Sequence, residues 1–324
     1  MADNKKQTKA KKAAATPEQL REKRIALLTP VVSVLLALIV GAIVIACLGK
    51  NPIQGYAAML QGSLGDMGKI GKTLERACPL IFTGLAAVFA YKCGVFNLGG
   101  EGQFIMGGCA TATVVLGLNL TGPMDLLLGL IAGIVVGGIW ALLPGIMKIT
   151  RGLNEMITTI MLNYIAMYFM EYIFKNVFSD QGLPKTLAMP KSTHLMDVGT
   201  AHCGVIIAIL LGVFLWYVIF RTSFGFKIRA VGLSPTASKV NGFPVRALVL
   251  LAFVISGAVA GLGGAVELLG KPPFRLADGF GAGFGFDGVA IALIAQLNPI
   301  AAIFVALLFG ILSTGGTMMQ SVIG

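Results

Sequence analysis

Long apolar runs recur from one end of this chain to the other, near residues 25–48, 74–93, 103–118, 124–147, 156–174, 203–220, 247–269, 286–297 and 300–314. At 1.5 Å per residue, about 20 apolar residues in a helix cross the hydrocarbon core of a bilayer. In that core every backbone N–H and C=O must be paired within the protein, so solid apolar runs mean helices. A membrane barrel is excluded, because its strands would alternate apolar and polar residues. The reading is an all-α polytopic membrane protein of about nine to ten transmembrane helices, two of the nine visible runs being short. Composition agrees: 56% of the 324 residues are hydrophobic, only 12% are charged and 43 are Gly, far from the balance of a soluble domain.

The formal charge of +11 raises nucleic acid as a partner, but its placement favours the membrane. Eight of the 25 basic residues fall in the first 24 positions: Lys5, Lys6, Lys9, Lys11, Lys12, Arg21, Lys23 and Arg24. Basic residues beside a span hold that end in the cytosol. With the N-terminus inside, the alternating topology puts sixteen basic residues inside and nine outside, so the orientation is self-consistent. Residues 1–24 then form a cytosolic tail and 25–324 the transmembrane domain. The run at 25–48 is too long for a signal-peptide core. Cys47, Cys78, Cys93, Cys109 and Cys203 lie within or at the ends of apolar runs without CxxC spacing, and read as small apolar residues rather than a disulfide frame or metal site.

Two connections are long. Residues 175–202 are polar, carry Pro184 and Pro190, and fall outside. Residues 221–246 fall inside with five basic residues and no acid, which suits a short helix docking on a soluble partner. The chain also echoes itself. A span, a Gly-rich stretch with one acid and a short apolar segment occur at 74–93, 94–102 and 103–118, and again at 247–269, 279–288 and 289–297. The first unit starts outside and the second inside, giving two inverted repeats, whose Gly-interrupted short spans point to a transport path at their interface.

The chemistry concentrates at these two breaks. The first reads Phe96-Asn97-Leu98-Gly99-Gly100-Glu101-Gly102-Gln103. Unwound backbone at membrane depth must be buried in protein or line water, so Asn97, Glu101 and Gln103 are candidates to contact a polar solute; the plain alternative is a cytosolic turn with Glu101 solvated. The second alternates Gly with Phe from Gly279 to Gly288 and carries Phe284, Phe286 and Asp287. Its rings would suit a planar solute, or simply an interfacial aromatic belt. No strand precedes it, so it is not a dinucleotide loop, and Asp278 with Asp287 in one loop does not make an intramembrane aspartyl protease. Glu267, near a span end, is a functional candidate as an intramembrane acid, or it snorkels to the outer interface. Gly133/Gly137 and Gly257/Gly261 are GxxxG pairs that permit close helix packing. His194 and His202 lack ligand spacing. Walker A, HExxH and GxSxG sequences are absent, so neither metal catalysis nor ATP hydrolysis is expected of this chain.

The first break, together with Gly152-Leu153-Asn154-Glu155-Met156 continuing to Asn163-Tyr164, and Arg229-Ala230-Val231-Gly232-Leu233-Ser234-Pro235-Thr236-Ala237 through Gly242, resembles the branched-chain-amino-acid and ribose type of ABC importer permease. The GGEGQ form of the first motif is closest to the nucleoside (guanosine-type) uptake subfamily. The resemblance covers roughly residues 25–324. It implies a non-enzymatic, multi-pass permease of a prokaryotic cell membrane, without a cofactor of its own. Its partners would be a second related permease, a paired or two-domain ATPase that binds the ATP, and an extracytoplasmic substrate-binding lipoprotein. Gly232, Leu233, Ser234, Pro235, Ala237 and Gly242 would form the coupling helix at the ATPase, with turns at Gly232 and Gly242, a cap from Ser234 and Pro235 at the first helical position. Residues 49–72 and 175–202 would receive the lipoprotein. The family normally continues into one more span, so this chain is expected to lack a final helix. The nearest alternative is a ribose- or galactose-type sugar permease. A stand-alone ion-coupled carrier should place ionisable groups in mid-span, and an intramembrane enzyme should show a nucleophile or metal constellation; the acids here lie at span ends and in loops.

Overall fold

The computed structural model describes residues 17–118, 123–180 and 183–323. Lys5, Lys6, Lys9, Lys11 and Lys12 lie outside the described residues. Twelve α-helices follow one another: α1 (Pro17–Cys47), α2 (Pro52–Leu64), α3 (Met67–Lys92), α4 (Gly100–Leu118), α5 (Pro123–Arg151), α6 (Glu155–Tyr172), α7 (Gly204–Arg221), α8 (Ser223–Leu233), α9 (Pro235–Val240), α10 (Val245–Gly270), α11 (Phe284–Ile294) and α12 (Pro299–Ile323). All nine apolar runs fall on helices. By length and hydropathy, six of the described helical segments qualify as single spans: α3, α5, α6 with its continuation to Val177, α7, α10 and α12. The chain is therefore a multi-pass membrane protein. The expected nine to ten spans are not reached on this criterion: the described part of α1 qualifies only together with α2, as a bent pair that would make seven, α11 is short, and α4 opens on the polar Glu101 and Gln103.

The chain divides into two compact units after Tyr56. In the first, α1 is tied to the start of α2 by the Tyr56 hydroxyl, which donates to the Leu38 carbonyl at 2.5 Å. In the second, α10 is the central helix, packing on α5, α4 and α3, while α11 lies along α3. Small residues set the α5–α10 approach. A Cβ at Gly137 would stand 2.7 Å from the Gly261 Cα, and one at Gly257 would fall on the Gly137 carbonyl. The two GxxxG stripes thus face each other, and dispersion between closely approaching backbones holds the pair where lipid supplies no hydrophobic drive.

Residues 52–64, expected to be loop, are helical. The Asn51 side chain accepts from the Ile53 N–H at 2.9 Å, and Pro52 at the first position gives up no needed donor. Asp66 likewise opens α3, accepting the Lys69 N–H at 2.9 Å, and that bond holds its carboxyl below the usual range. Helix-start chemistry thus orders part of the exterior segment 49–72.

The stretch 175–202 is also not a plain loop. It forms two small antiparallel pairs, β1 (Ser179–Asp180) with β2 (Leu183–Thr186) and β3 (Asp197–Val198) with β4 (Ala201–His202). Both are fastened to the end of α10 and the chain that follows it. The Thr186 N–H donates to the Leu276 carbonyl at 2.8 Å, Met189 N–H to Phe274 at 2.9 Å and Leu195 N–H to Leu269 at 2.9 Å. The His194 ring stacks on Phe274 at 3.6 Å, and Arg275 pairs with Asp180.

His202 closes this region. It is buried, neither ring nitrogen has a hydrogen-bond partner among the described residues, and its ring lies against Gly204 and Gly270. Burial lowers its pKa; the field of Lys271 adds to that and Asp197 opposes it. The folded protein therefore takes up a proton less readily than the unfolded chain, whose imidazole titrates near 6.5. This contribution to stability is complete above that value and is lost as pH falls through the lowered folded one. Thermal unfolding in detergent should show a lower midpoint at pH 5.5 than at 7.5, and His202→Phe, which keeps a ring in the slot, should reduce the difference. An equal acid loss in that variant would refute the assignment.

Candidate functional site

The first Gly-rich break runs from Cys93 to Gly99, between α3 and α4. Gly94 takes a left-handed φ of +73°, which ends α3 at low cost because glycine has no Cβ to clash. The side chains beyond it then interlock. Asn97 Nδ2 donates to Gln103 Oε1 at 3.0 Å and to Ser256 Oγ at 3.0 Å, Gln103 Nε2 returns a bond to Asn97 Oδ1 at 3.1 Å, and that same oxygen accepts the Gly99 N–H at 2.9 Å. Ser256 passes the chain of bonds on to the Ala86 carbonyl at 2.8 Å. Asn97 and Gln103 are both buried, so the network lies in a low dielectric, where satisfied bonds are strong and broken ones costly.

The second break runs from Lys271 to Gly283, between α10 and α11, and Glu101 joins the two. Its carboxylate, 6% exposed, accepts the Gly283 N–H at 3.0 Å and the Gly285 N–H at 2.6 Å. Those N–H groups open α11, so a buried anion sits on the positive end of the helix dipole. The approach is close enough to need glycine: a Cβ at Gly281 would fall on Glu101 Oε1, and one at Gly285 on the Glu101 backbone nitrogen. Ala282 and Gly283 have φ of +47° and +82°, turning the chain sharply into the helix.

Of the residues singled out as a solute path, the structure thus brings Asn97, Glu101 and Gln103 to the meeting of the two breaks, with their hydrogen-bonding atoms engaged within the protein. Direct contact with a solute through those atoms would require them to exchange these bonds. Phe284 is half-buried, its ring centroid 5.6 Å from that of Phe104. Phe286 is 49% exposed and Asp287 is exposed; both sit in the first turn of α11, away from the Asn97 network. Two further members of the site were not singled out for the solute path, although one of them, Asn163, stands in a motif that carries the family resemblance. Asn163 clamps the first break, accepting the Gly102 N–H at 2.8 Å and donating to the Leu98 carbonyl at 2.9 Å. Ser256 is the other. Both are polar residues inside apolar spans, and that was the available signal.

The basic loop folds into two helices, α8 and α9, where one short helix over Gly232 to Gly242 is expected from the sequence. Ser234 bridges α8 and α9, its Oγ accepting the Ala237 N–H at 3.3 Å, Pro235 is the first residue of α9, and Gly242 turns the chain out with φ +77°. Gly232, however, lies inside α8 instead of at a turn. A Cβ there would strike the Lys92 carbonyl, so its glycine permits α8 to pack on the end of α3. Leu233 and Val240, at the two ends of the short α9, are 88% and 85% exposed.

The profile of the family described as "Branched-chain amino acid transport system / permease component" matches residues 70–323. The chain is 37% identical to the guanosine ABC transporter permease protein NupP of Bacillus subtilis over 303 residues, 90% of this chain and 86% of that one. It is 34% identical to the nucleoside ABC transporter permease protein NupB of Lactococcus lactis over 308 residues, covering 91% and 85%. The glucose ABC transporter permease protein TsgB13 of Haloferax volcanii is 30% identical over 311 residues, covering 91% and 82%. No solved structure matches the chain.

Proposed function

The chain belongs to the family of branched-chain amino acid transport system permease components, and from that premise we propose that it is the membrane permease of an ATP-binding-cassette importer that takes up nucleosides. The observation that carries the reading is the joining of the two Gly-rich breaks by Glu101, in a chain whose relatives include permeases named for guanosine and nucleoside transport. A solute path needs backbone freed from regular helix yet fully paired, and this junction supplies it. Asn97, Glu101, Gln103 and Asn163 hold the junction; Phe284 and Phe286 offer ring faces to a base. The sugar alternative keeps one support, the similarity to a glucose permease. Uptake of labelled guanosine, adenosine, uridine and ribose by cells carrying the assembled transporter decides between them. Ribose uptake without nucleoside uptake would overturn the proposal. Phe284→Leu should alter base preference, since it removes a ring and keeps apolar volume.

In the same reading ATP is bound and hydrolysed by a separate subunit, a second related permease completes the membrane part, a lipoprotein delivers the solute to the hairpins at 179–202, and the N-terminus is cytosolic. The surface formed by α8, α9, Leu233 and Val240 meets the ATPase. Ala237→Glu places a charge on the exposed face of α9, outside the packed interior. Its membrane level should match wild type, while uptake falls at least about tenfold, the equivalent of 1.4 kcal/mol of lost contact, and ATP hydrolysis persists. Unchanged uptake would remove α9 from coupling.

A further inference from the structure

At the end of the bundle that carries the β-hairpins, a cavity of about 220 Å³ opens between α10, the second break and the start of α11, lined by Glu267, Lys271, Arg275, Asp278, Phe280 and Phe284 among others. That volume is below the usual range of about 300–1,000 Å³ for drug-sized ligands, so it takes one small molecule. Glu267 is 8% exposed. Its Oε1 accepts from Lys271 Nζ at 2.7 Å, but its Oε2 is buried and has no hydrogen-bond partner among the described residues. A buried carboxylate oxygen without a donor is costly, and such groups in native proteins call for a physical explanation. The two cations that line the cavity are already committed, Lys271 to Glu267 itself and Arg275 to Asp180; Arg76, whose field also reaches Glu267, is not among the lining residues and hydrogen-bonds Ser313 Oγ at 3.2 Å.

We infer that Glu267 is the polar anchor of a solute subsite in this cavity, accepting hydrogen bonds from the hydroxyls of a neutral, ring-bearing polyol while Phe280 and Phe284 flank its ring. The ligand class follows from the lining. A carboxylate oxygen only accepts, so the ligand must donate, and vicinal hydroxyls donate. With both cations of the cavity lining paired, an anionic ligand such as a phosphate ester would meet a negative oxygen and no free counter-charge within the lining. Phe280 and Phe284 both pack on Phe104, with centroids at 5.5 and 5.6 Å, so the aromatic wall is fixed by the same residues that build the helix junction. The subsite rests on the importer reading and deepens it, by placing the solute at the second break, against Phe280 and Phe284.

The test uses the membrane complex in nanodiscs without its binding protein, with guanosine and 2′,3′-dideoxyguanosine as probes read by saturation-transfer NMR, alongside uptake of guanosine by cells. Wild type should bind guanosine about tenfold more tightly than the dideoxy probe, the size of one hydrogen bond to a charged acceptor. Glu267→Gln, close in shape, should shrink that ratio towards one, and Phe280→Leu should weaken both probes while keeping the ratio. Equal affinity of wild type for the two probes, or a ratio unchanged in Glu267→Gln, overturns the subsite even where guanosine uptake is intact. If Glu267→Gln does not reach the membrane, the wild-type ratio and its survival in Phe280→Leu decide. Failure of wild-type cells to take up guanosine overturns the importer reading, and the subsite with it.

Discussion

Glu101→Ala should abolish uptake at matched membrane levels, by about a hundredfold or more, and should loosen residues 279–288. The carboxylate is the partner of the Gly283 and Gly285 N–H groups. Removing it strands two buried donors at a cost of about 1–3 kcal/mol each, and takes away the anion at the start of α11. Gly281 and Gly285, which flank the spot, carry no side chain to step in. Glu101→Gln is the informative partner variant. Its amide oxygen can still accept one N–H, but its NH2 would face the other, so it should retain part of the activity that alanine loses. Amide hydrogen exchange gives the second measurement: both variants should exchange faster at Gly283 and Gly285, while exchange around the α5–α10 contact stays as in wild type. Wild-type uptake in Glu101→Ala would show that the junction is not part of the path.

Glu101 also shows what the sequence could and could not reveal. Its run of glycines marked a break, and the echo of that break after α10 pointed to a meeting of the two, because runs of apolar residues and glycine spacing are local properties. What a carboxylate does at such a break is not local. It depends on which backbone donors the fold brings to it from position 283, and no spacing encodes that. The same limit explains the omission of Asn163 and Ser256, whose partners lie 61 and 159 residues away. Helix α2 was missed for a different reason, since Asn51 and Pro52 start it through end effects that outweigh a weakly apolar composition. Residues 175–202 were read as a loop because two-residue strands leave no alternation to detect, and their order comes from pairing with 269–277.

Gly261→Leu should prevent recovery of folded protein, and Gly261→Ala should already lower the thermal midpoint. This residue lies where three helices approach. A Cβ on it would fall on the Gly133 carbonyl and stand 2.9 Å from the Gly137 Cα on α5, while Gly107 of α4 presses its own backbone to the Gly261 carbonyl. Backbone on two sides cannot rotate away as a flexible side chain can, so the helices must move apart. In a core packed to crystal-like density an added methyl typically costs about 1–3 kcal/mol, and a larger side chain more. Separation would also forfeit the dispersion contacts that hold α5 to α10, for which lipid offers no hydrophobic compensation. Gly316 in α12 is the control, since nothing lies within 4 Å of its Cβ position and its φ is not in the left-handed region. Gly316→Ala should be tolerated, with a small gain from helix propensity. Yield after detergent extraction and the unfolding midpoint check all three variants. Gly261→Leu folding as well as Gly316→Ala would mean that the α4–α5–α10 crossing is looser than its backbone distances imply, and that the junction of the two breaks is held by the Glu101 and Asn97 networks alone.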